Sequence, residues 1–311
     1  MRATAVGNFL TMARSFAHRF PSPLRYPGGK GKVANFIKLV MIENGLVGCD
    51  YVEPYAGGAT VALSLLFEEY ADHIHINDLN RSVYKFWLVV LERTEELCDR
   101  IAKVRVTPNE WLRQLDVQDH ESPEDLDLAF STFFLNRTSR SGIIGGGVIG
   151  GKQQAGRWKL DVRFNKEDLI RRIRRIARFR NRITLTGLDT ADYIRDCLPG
   201  LQSPFVYLDP PYYVKGEGLY LNFYRHSDHV EIAGLVGELK IPWIVSYDGA
   251  PEIEAMYSAH ASIEYDLHYS AGRPSRGREL MFLSDSLTIP RVESPANISM
   301  TLVNDVRVAY S

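Results

Sequence analysis

The stretch "VYLDPPYY", residues 206–213, places one carboxylate, two prolines and two tyrosines at the end of an apolar run. The run is typical of a buried strand, and Asp209 would stand at its carboxyl end, where open α/β sheets bind ligands. Pro210 and Pro211 fix φ and carry no N–H, so the turn is stiff and its carbonyl oxygens are free to accept. With the flat face of Tyr212, these groups match an aromatic amine: two acceptors for two N–H groups and a stacking surface.

A second stretch, "EPYAGGAT" (residues 53–60), is a glycine turn between a predicted strand and a predicted helix. Glycines let a ligand approach the backbone, and a helix N-terminus favours negative or polar groups. The spacing is not GxGxxG, so a plain strand–helix turn explains the fragment equally well. Asp78 follows about 20 residues later, where nucleotide-binding α/β units hold ribose hydroxyls. An N-cap is the alternative for Asp78, and the glycine turn favours the ribose interpretation.

A third stretch, "RYPGGKGK" (residues 25–32), puts Lys30 and Lys32 on a turn before a helical pattern. It lacks the GxxxxGK[ST] spacing of a P-loop, which removes the main support for a kinase or ATPase. The eight histidines show no HxxxH or HExxH spacing, so we expect no metal site.

These motifs need a scaffold in which strands alternate with helices. The pattern predicts an α/β fold with a largely parallel sheet, closed by a C-terminal antiparallel hairpin. One segment breaks the rhythm and predicts an inserted, mostly helical subdomain. The expected divisions are 1–83 (catalytic domain, first part), 84–163 (insert), 164–285 (catalytic domain, second part) and 286–311 (C-terminal tail).

Composition limits the class of protein. The 311 residues are 45% hydrophobic and 24% charged, with a net charge of −1, which is ordinary for a soluble globular domain. Any nucleic-acid surface must therefore be a local patch. Three widely spaced cysteines fit a reducing compartment. We find no run of about 18 apolar residues, so we expect no transmembrane helix.

Taken in order, the motifs resemble the Dam-type adenine-N6 DNA methyltransferases (D12 class, alpha group). The lysine turn, the glycine turn, the insert and Asp-Pro-Pro-Tyr follow one another as in that family, over roughly residues 22–285. The resemblance implies a Rossmann-like methyltransferase sheet with an inserted DNA-recognition subdomain. It further implies S-adenosylmethionine as the cofactor, double-stranded DNA as the partner, and a cytoplasmic, bacterial or phage-encoded protein that is a monomer or a weak dimer.

The resemblance also implies roles for single residues. Asp209 and the Pro210 carbonyl would accept the N6 hydrogens of the target adenine, and Tyr212 would stack on its ring, with Pro211 completing the catalytic motif. Asp78 would hold the cofactor's ribose. The implied cofactor-binding residues are Tyr26, Lys30, Glu53, Pro54, Tyr55, Ala56, Gly57, Asp78 and Asp209.

In the insert, "FFLNRTSRSG" resembles the start of the family's recognition loop. Arg140 stands where an aromatic residue is usual, so we expect it to act on a phosphate or a guanine edge. An Arg-rich segment, residues 171–182, could track phosphates, although a solvated helix face balanced by acids explains it equally well. The implied DNA contacts are Asn136, Arg137, Arg140, Arg273 and Arg276.

The expected reaction is methyl transfer to N6 of an adenine that is flipped out of the duplex. Hydrogen bonds to Asp209 and a main-chain carbonyl would favour a tetrahedral nitrogen with its lone pair aimed at the methyl group. In similar enzymes Asn at this position accompanies glutamine substrates and Ser accompanies cytosine N4, so Asp209 favours adenine. The alternatives are RNA adenine or another planar amine as the acceptor, or a catalytically idle DNA-binding relative.

Overall fold

The computed structural model describes residues 21–25, 30–214, 224–269 and 275–310. It contains a seven-stranded sheet in the order β3-β2-β1-β4-β5-β7-β6. The strands are β1 (Cys49–Glu53), β2 (Ala71–Asn77), β3 (Ile183–Thr186), β4 (Phe205–Leu208), β5 (Trp243–Asp248), β6 (Ala261–Tyr269) and β7 (Ser275–Leu283). Strands β1 to β5 pair in parallel, whereas β7 is antiparallel to both β5 and β6. The predicted α/β fold with a C-terminal antiparallel hairpin is confirmed.

Helices connect and cover these strands. They are α1 (Ala34–Glu43), α2 (Thr60–Phe67), α3 (Arg81–Glu92), α4 (Thr94–Lys103), α5 (Pro108–Asp119), α6 (Asp125–Thr138), α7 (Lys166–Ala177), α8 (Thr190–Asp192), α9 (His226–Glu238), α10 (Pro251–Met256) and α11 (Met300–Tyr310). The long helical pattern after Asp78 is divided into α3 and α4 at Arg93, whose backbone leaves the helical region at φ −125° and ψ 40°.

The middle of the sheet is apolar on both faces because helices cover both faces. All residues of β4 and β5 are buried, as expected for parallel strands packed on two sides. The two hydrophobic clusters that result include Tyr207 and Ile244 in one and Val206 and Val245 in the other. Successive residues of β4 and β5 thus point to opposite faces of the sheet, and each face is covered by one apolar cluster. Polar side chains can therefore face a ligand at the ends of these strands.

Helices α3 to α6 lie in sequence between β2 and β3 and include most of the predicted insert. Helix α6 has little amphipathic character, since its residues from Leu128 to Thr138 are all buried. It packs on α3 through Phe133, whose ring stacks on Phe86 with 6.1 Å between centroids. The insert is therefore anchored through a helix buried on all sides.

The C-terminal segment, predicted only as a tail, contains helix α11. Val303 of α11 is buried against the main core, and the Arg307 guanidinium lies 4.8 Å from the ring centroid of Tyr70. In the described part of the chain, no helix combines the length and apolar content needed to cross a membrane.

Candidate active site

The site lies at the carboxyl ends of the parallel strands. Strands β1 and β4 are neighbours, with β2 and β3 on one side and β5 on the other, so the strand order reverses between them. Such a switch point opens a crevice in which α/β sheets bind ligands. The strand ends place four polar side chains there: Glu53 at the end of β1, Asn77 at the end of β2, Asp209 just after β4 and Asp248 at the end of β5.

The segment after β4 is held by an acid on the neighbouring strand. Asp248 Oδ1 accepts from the Tyr213 N–H at 2.9 Å, and its Oδ2 accepts from the Val214 N–H at 3.1 Å. Two prolines precede these N–H groups and supply none of their own. Asp248 therefore fixes the path of the backbone just past Tyr212, whose side chain is buried with 3% of its surface exposed.

Lys30 brings the lysine turn to Asp209. Its Nζ lies 3.3 Å from Asp209 Oδ1 and donates to Glu279 Oε2 at 2.6 Å. The same ammonium is 5.4 Å from the ring centroid of Tyr212. Sequence reasoning missed Glu279 because it lies in an apolar strand more than two hundred residues away in the chain.

Burial and charge oppose one another in this cluster. Burial raises the pKa of Asp209, and the Lys30 ammonium opposes that rise. Burial likewise raises the pKa of Glu279 to about 7, again against Lys30. Burial alone would lower the pKa of Lys30, but the charges of Asp209, Tyr265, Tyr212 and Glu279 together raise it well above its usual value. Lys30 is thus a permanent cation that stabilises the ionised form of both carboxyl groups.

The glycine turn after β1 is a tight, internally bonded loop. Gly57 has φ +46°, in the left-handed region that glycine adopts at little cost. Its N–H donates to Asp78 Oδ2 at 2.8 Å, and its carbonyl accepts from Trp87 Nε1 at 2.9 Å. Glu53 Oε1 accepts from the Ala62 N–H, in the first turn of α2, at 2.9 Å, and burial raises the pKa of Glu53 to about 8. A carboxyl group at the base of the turn thus meets the helix N-terminus.

Asp78 joins the glycine turn to the start of α3 but does not cap that helix. Its Oδ1 accepts from the Asn80 N–H at 2.9 Å, while the Asn80 side chain caps α3 by accepting from Ser82 and Val83. Each carboxyl oxygen of Asp78 keeps a lone pair for a further donor. Burial raises the pKa of Asp78 to about 6, against the two backbone hydrogen bonds.

Asn77, also missed by sequence reasoning, ties three strand ends together. Its Nδ2 donates to the carbonyls of Pro54 and Leu188 at 3.0 and 2.9 Å, and its Oδ1 accepts from the Leu188 N–H at 2.9 Å. It precedes Asp78 at the end of a strand in which polar and apolar residues are mixed, and asparagine at a strand end is common, so the sequence carries no specific signal for this role.

Tyr55 of the glycine turn faces the segment that begins at Tyr224. The two hydroxyl groups are 3.0 Å apart and the rings meet edge to face at 5.8 Å. Among the described residues, no group of three or more His, Cys, Asp and Glu side chains is placed to hold a metal. Tyr26, assigned to the cofactor by the resemblance, lies outside the described residues.

The end of α6 lies beside the chain that leads to the lysine turn. Asn136 is 2% exposed, accepts from the Arg25 N–H at 2.7 Å, and donates to the carbonyls of Arg25 and Gly142 at 2.7 and 2.8 Å. Gly142 has φ +81°, and a Cβ there would lie 2.5 Å from the Arg25 carbonyl oxygen. This residue therefore has to be glycine for the loop to approach Arg25.

Arg137, the next residue of α6, is 7% exposed, and its Nε has no hydrogen-bond partner among the described residues. Burial lowers its pKa to about 9, with Arg172, Arg25 and Arg163 lowering it further and Asp168 alone raising it. Like charges gathered around a buried guanidinium are unfavourable unless an anion offsets them.

Arg140 is exposed, at the start of a short hairpin in which its N–H donates to the Gly147 carbonyl at 2.9 Å. Further along this glycine-rich segment, Trp158 is 59% exposed and the Arg157 guanidinium lies 5.1 Å from its ring centroid. Arg273 lies outside the described residues, as does the side chain of Arg276.

The Arg-rich segment is largely neutralised within the protein. Arg171 pairs with Asp168, and Arg174 pairs with Glu95 at 2.6 Å. Arg175 lies 4.1 Å over the Phe67 ring. Of the two interpretations of this segment, the helix face balanced by acids accounts for Arg171 and Arg174.

Solved structures resemble this fold at low sequence identity. A putative RNA methyltransferase from Pyrococcus horikoshii is 7% identical with TM-score 0.42, over 84% of this chain and 86% of that chain. A type I restriction-modification methyltransferase subunit from Streptococcus thermophilus is 12% identical with TM-score 0.36, over 95% of this chain and 55% of that one. A putative class I S-adenosylmethionine-dependent methyltransferase from Listeria monocytogenes is 10% identical with TM-score 0.35, over 90% and 71%.

The curated proteins contain no match to this sequence. The family described as D12 class N6 adenine-specific DNA methyltransferase matches residues 26–270. That span includes the lysine turn, the glycine turn, the insert and Asp-Pro-Pro-Tyr. The fold brings Lys30, Glu53 and Asp209 from these motifs to the carboxyl ends of the parallel strands. The chain therefore belongs to the D12 class of N6 adenine-specific methyltransferases and is an S-adenosylmethionine-dependent enzyme.

Proposed function

We propose that this protein is a site-specific DNA methyltransferase that transfers a methyl group from S-adenosylmethionine to N6 of an adenine flipped out of double-stranded DNA. The observation that carries the proposal is the placement of Asp209. It stands at the carboxyl end of β4, next to the switch point, with Lys30 at 3.3 Å and Tyr212 in the same cluster.

The residues of the glycine turn fit the cofactor. Asp78 is half-buried and keeps lone pairs for ribose hydroxyls. Leu79 and Leu188 are 45% and 39% exposed, and Asn77 binds the backbone of Leu188, so apolar surface for a purine ring lies beside that acid. Residues 53–57 would surround the amino-acid end. When bound, S-adenosylmethionine supplies the electrophilic methyl group of its sulfonium.

The chain's own groups would make the adenine amine reactive. N6 of adenine is a poor nucleophile because its lone pair is delocalised into the ring. Asp209 Oδ1 is buried beside Lys30, whereas the side chain as a whole is 26% exposed. Its other carboxyl oxygen can therefore accept one N–H, and the Pro210 carbonyl can accept the other. Two such bonds favour a tetrahedral nitrogen, and positioning against the methyl group supplies much of the remaining acceleration.

Lys30 would hold Asp209 in the form that accepts. Its ammonium stabilises the carboxylate against the effect of burial. Asp209 is also placed to take the proton that N6 loses after the methyl group is attached. Tyr212 would stack on the adenine ring and keep it in the pocket.

The insert supplies groups suited to DNA. The buried Arg137, with Arg25, Arg163 and Arg172 around it, suits a phosphate, which would offset the repulsion between these charges. Arg140 and the exposed Trp158 offer a cation and a stacking surface. Asn136 would act indirectly, because its side chain is committed to Arg25 and Gly142.

The test is long-read methylation sequencing of plasmid DNA from cells that express the protein. We expect N6-methyladenine in one short sequence context, and none with Asp209→Ala, whose affinity for S-adenosylmethionine should stay within a few-fold. Asp266→Ala, exposed on β6, is the matched control and should methylate like the wild type. Wild-type protein that binds the cofactor but leaves plasmid DNA unmodified contradicts the proposal and favours an RNA or other acceptor.

A further inference from the structure

Glu279 is a buried acid that the mechanism above does not use. Its side chain is 0% exposed, and its Oε2 accepts from Lys30 Nζ at 2.6 Å. It is followed in β7 by four apolar residues, 280–283, all of which are buried. A buried carboxylate is unfavourable unless it is paired, so its presence in this strand calls for a role tied to Lys30.

The two contacts of the Lys30 ammonium differ in length. The contact with Glu279 is 2.6 Å, whereas that with Asp209 Oδ1 is 3.3 Å. Charge-assisted N–H···O bonds are usually about 2.7–2.9 Å long, so only the first is a close hydrogen bond. Asp209 Oδ1 is buried beside this cation. The Asp209 side chain as a whole is 26% exposed, so its other carboxyl oxygen is the one that a ligand can reach.

We propose that Glu279 is a positioning residue for methyl transfer. By taking the short hydrogen bond from Lys30, it keeps the ammonium beside the buried Oδ1, where it stabilises the Asp209 carboxylate, and away from the other carboxyl oxygen, which must accept from the adenine amine. This inference rests on the proposed function, since it assigns Asp209 the acceptor role.

Other titratable groups surround Glu279. Lys30 comes from the turn before α1, and Asp209 and Tyr212 follow β4. Tyr265 on β6 and Asp248 on β5 are its register partners across the sheet, and Asp248 is occupied by two backbone N–H groups. Lys30 is therefore the cation through which Glu279 acts on Asp209.

The first test compares Glu279→Gln with the wild type in single-turnover methylation from about pH 5.5 to about pH 9. Lys30 then has Asp209 as its remaining carboxylate and becomes free to bond both of its oxygens. The plateau rate should fall about 10- to 100-fold, because the amine must displace a charge-assisted hydrogen bond. The acid limb should move to lower pH, because Asp209 gains a closer cation.

The matched control is Glu264→Gln, an exposed acid on β6 whose partner is Arg278 at 2.9 Å. It should leave both the plateau rate and the acid limb unchanged. KM values for cofactor and DNA should stay within about threefold in both variants, since neither change removes a group that binds substrate. A plateau and acid limb unaltered in a folded Glu279→Gln variant would overturn the inference.

A double-mutant cycle tests whether Glu279 acts through Lys30. In a Lys30→Met background, Glu279→Gln should change the residual rate less than about twofold. If the effect of Glu279→Gln persists in full without Lys30, the positioning role is wrong.

A third measurement separates this inference from the proposed function. Carbon-13 NMR of labelled aspartate follows the ionisation of Asp209 without DNA or any other acceptor. The Asp209 pKa should fall in Glu279→Gln and stay unchanged in Glu264→Gln. An unchanged Asp209 pKa overturns the inference even if the wild type methylates DNA, whereas an enzyme that modifies no DNA contradicts the proposed function and leaves this readout valid.

Discussion

At the scale of single residues, the site depends on carboxyl groups that are buried or partly buried. Glu53, Asp78, Asp209 and Glu279 all have raised pKa values, and burial is the main cause in each. The groups that oppose the rise are the Tyr51 hydroxyl and the Ala62 N–H at Glu53, the Asn80 and Gly57 N–H groups at Asp78, and the Lys30 ammonium at both Asp209 and Glu279. The same residue type therefore responds to pH differently at each position, which permits separate tests.

Glu53 should make the folded protein less stable as pH rises. Its folded pKa of about 8 lies above its ordinary value of 4.5, so stability is full below the ordinary value and is lost as pH rises through about 8. Glu53→Gln removes this loss while keeping an acceptor for Ala62. Between pH values near 4.5 and near 8, the free energy of unfolding of the variant, relative to that of the wild type, should rise by on the order of 3 kcal/mol.

Urea unfolding at both pH values measures this difference, with the exposed Glu121→Gln as the matched control. Parallel pH profiles for Glu53→Gln and the wild type would refute the assignment of Glu53 as a buried, titrating acid.

Asp78 should make cofactor affinity depend on pH. Its pKa of about 6 means that it becomes protonated below that pH and offers a weaker acceptor to ribose hydroxyls. The Kd for S-adenosylmethionine, measured by calorimetry, should rise as pH falls through about 6. Asp78→Asn should bind about 10- to 100-fold more weakly and show no such pH dependence. A variant that keeps the wild-type pH dependence would exclude this role for Asp78.

At the scale of elements, arginines on two helices differ in the charges that surround them. Helix α6 carries Arg137 in its last turn, and this arginine is buried and repelled by neighbouring arginines. Helix α7 carries Arg171 and Arg174, which are paired with acids. Sequence alone ranks α7 as the more basic element, but its charges are already balanced. The described geometry thus moves the expected phosphate contact from α7 to the end of α6.

Arg137→Gln and Arg174→Gln should therefore have different effects on the affinity for DNA. Arg137→Gln should weaken binding about tenfold and reduce the dependence of log Kd on log salt by about one unit. Arg174→Gln should change affinity less than about twofold, since Glu95 already neutralises that residue. Fluorescence anisotropy over a range of salt concentrations measures both quantities. Equal effects of the two substitutions would place the phosphate contact elsewhere.

At the scale of the whole molecule, Asn136 connects the insert to the segment that leads to the lysine turn. Asn136 binds the backbone of Arg25, five residues before Lys30, and the carbonyl of Gly142. A loop suited to DNA and a lysine turn that contacts Asp209 thereby depend on the same amide. Movement of the loop would be passed to the turn through this connection.

Asn136→Ala should lower both stability and turnover. The loss of its hydrogen bonds should reduce the free energy of unfolding by about 1–3 kcal/mol, and the single-turnover rate should fall because the lysine turn loses its support. Gln118→Ala is the matched control: it loses bonds to Ser131 and Thr132 on α6 and to Ser82 on α3, all away from the lysine turn, and should lower stability only. Unchanged turnover in Asn136→Ala would show that the bonds of Asn136 stabilise the fold but do not support the lysine turn.

The sequence by itself determined the α/β fold, the antiparallel hairpin and the family, because these depend on apolar periodicity and on short motifs whose spacing is local. It also predicted the strand-end positions of Asp78 and Asp209, since a strand end is visible as the end of an apolar run. The divisions proposed for the chain and the individual roles of the site residues stay predictions. Helix α11 was missed because its apolar face is short and its partner, α1, lies far away in the chain.

Only the tertiary structure decided which charges meet. Glu279 lies 249 residues from Lys30, and nothing local distinguishes it from any other acid in a strand. The balance of α7 by Glu95 and Asp168, and the isolation of Arg137 among like charges, likewise depend on side chains brought together by packing. Ion pairing, burial and the pKa values that follow from them are properties of distance in space, which the order of residues along the chain does not contain.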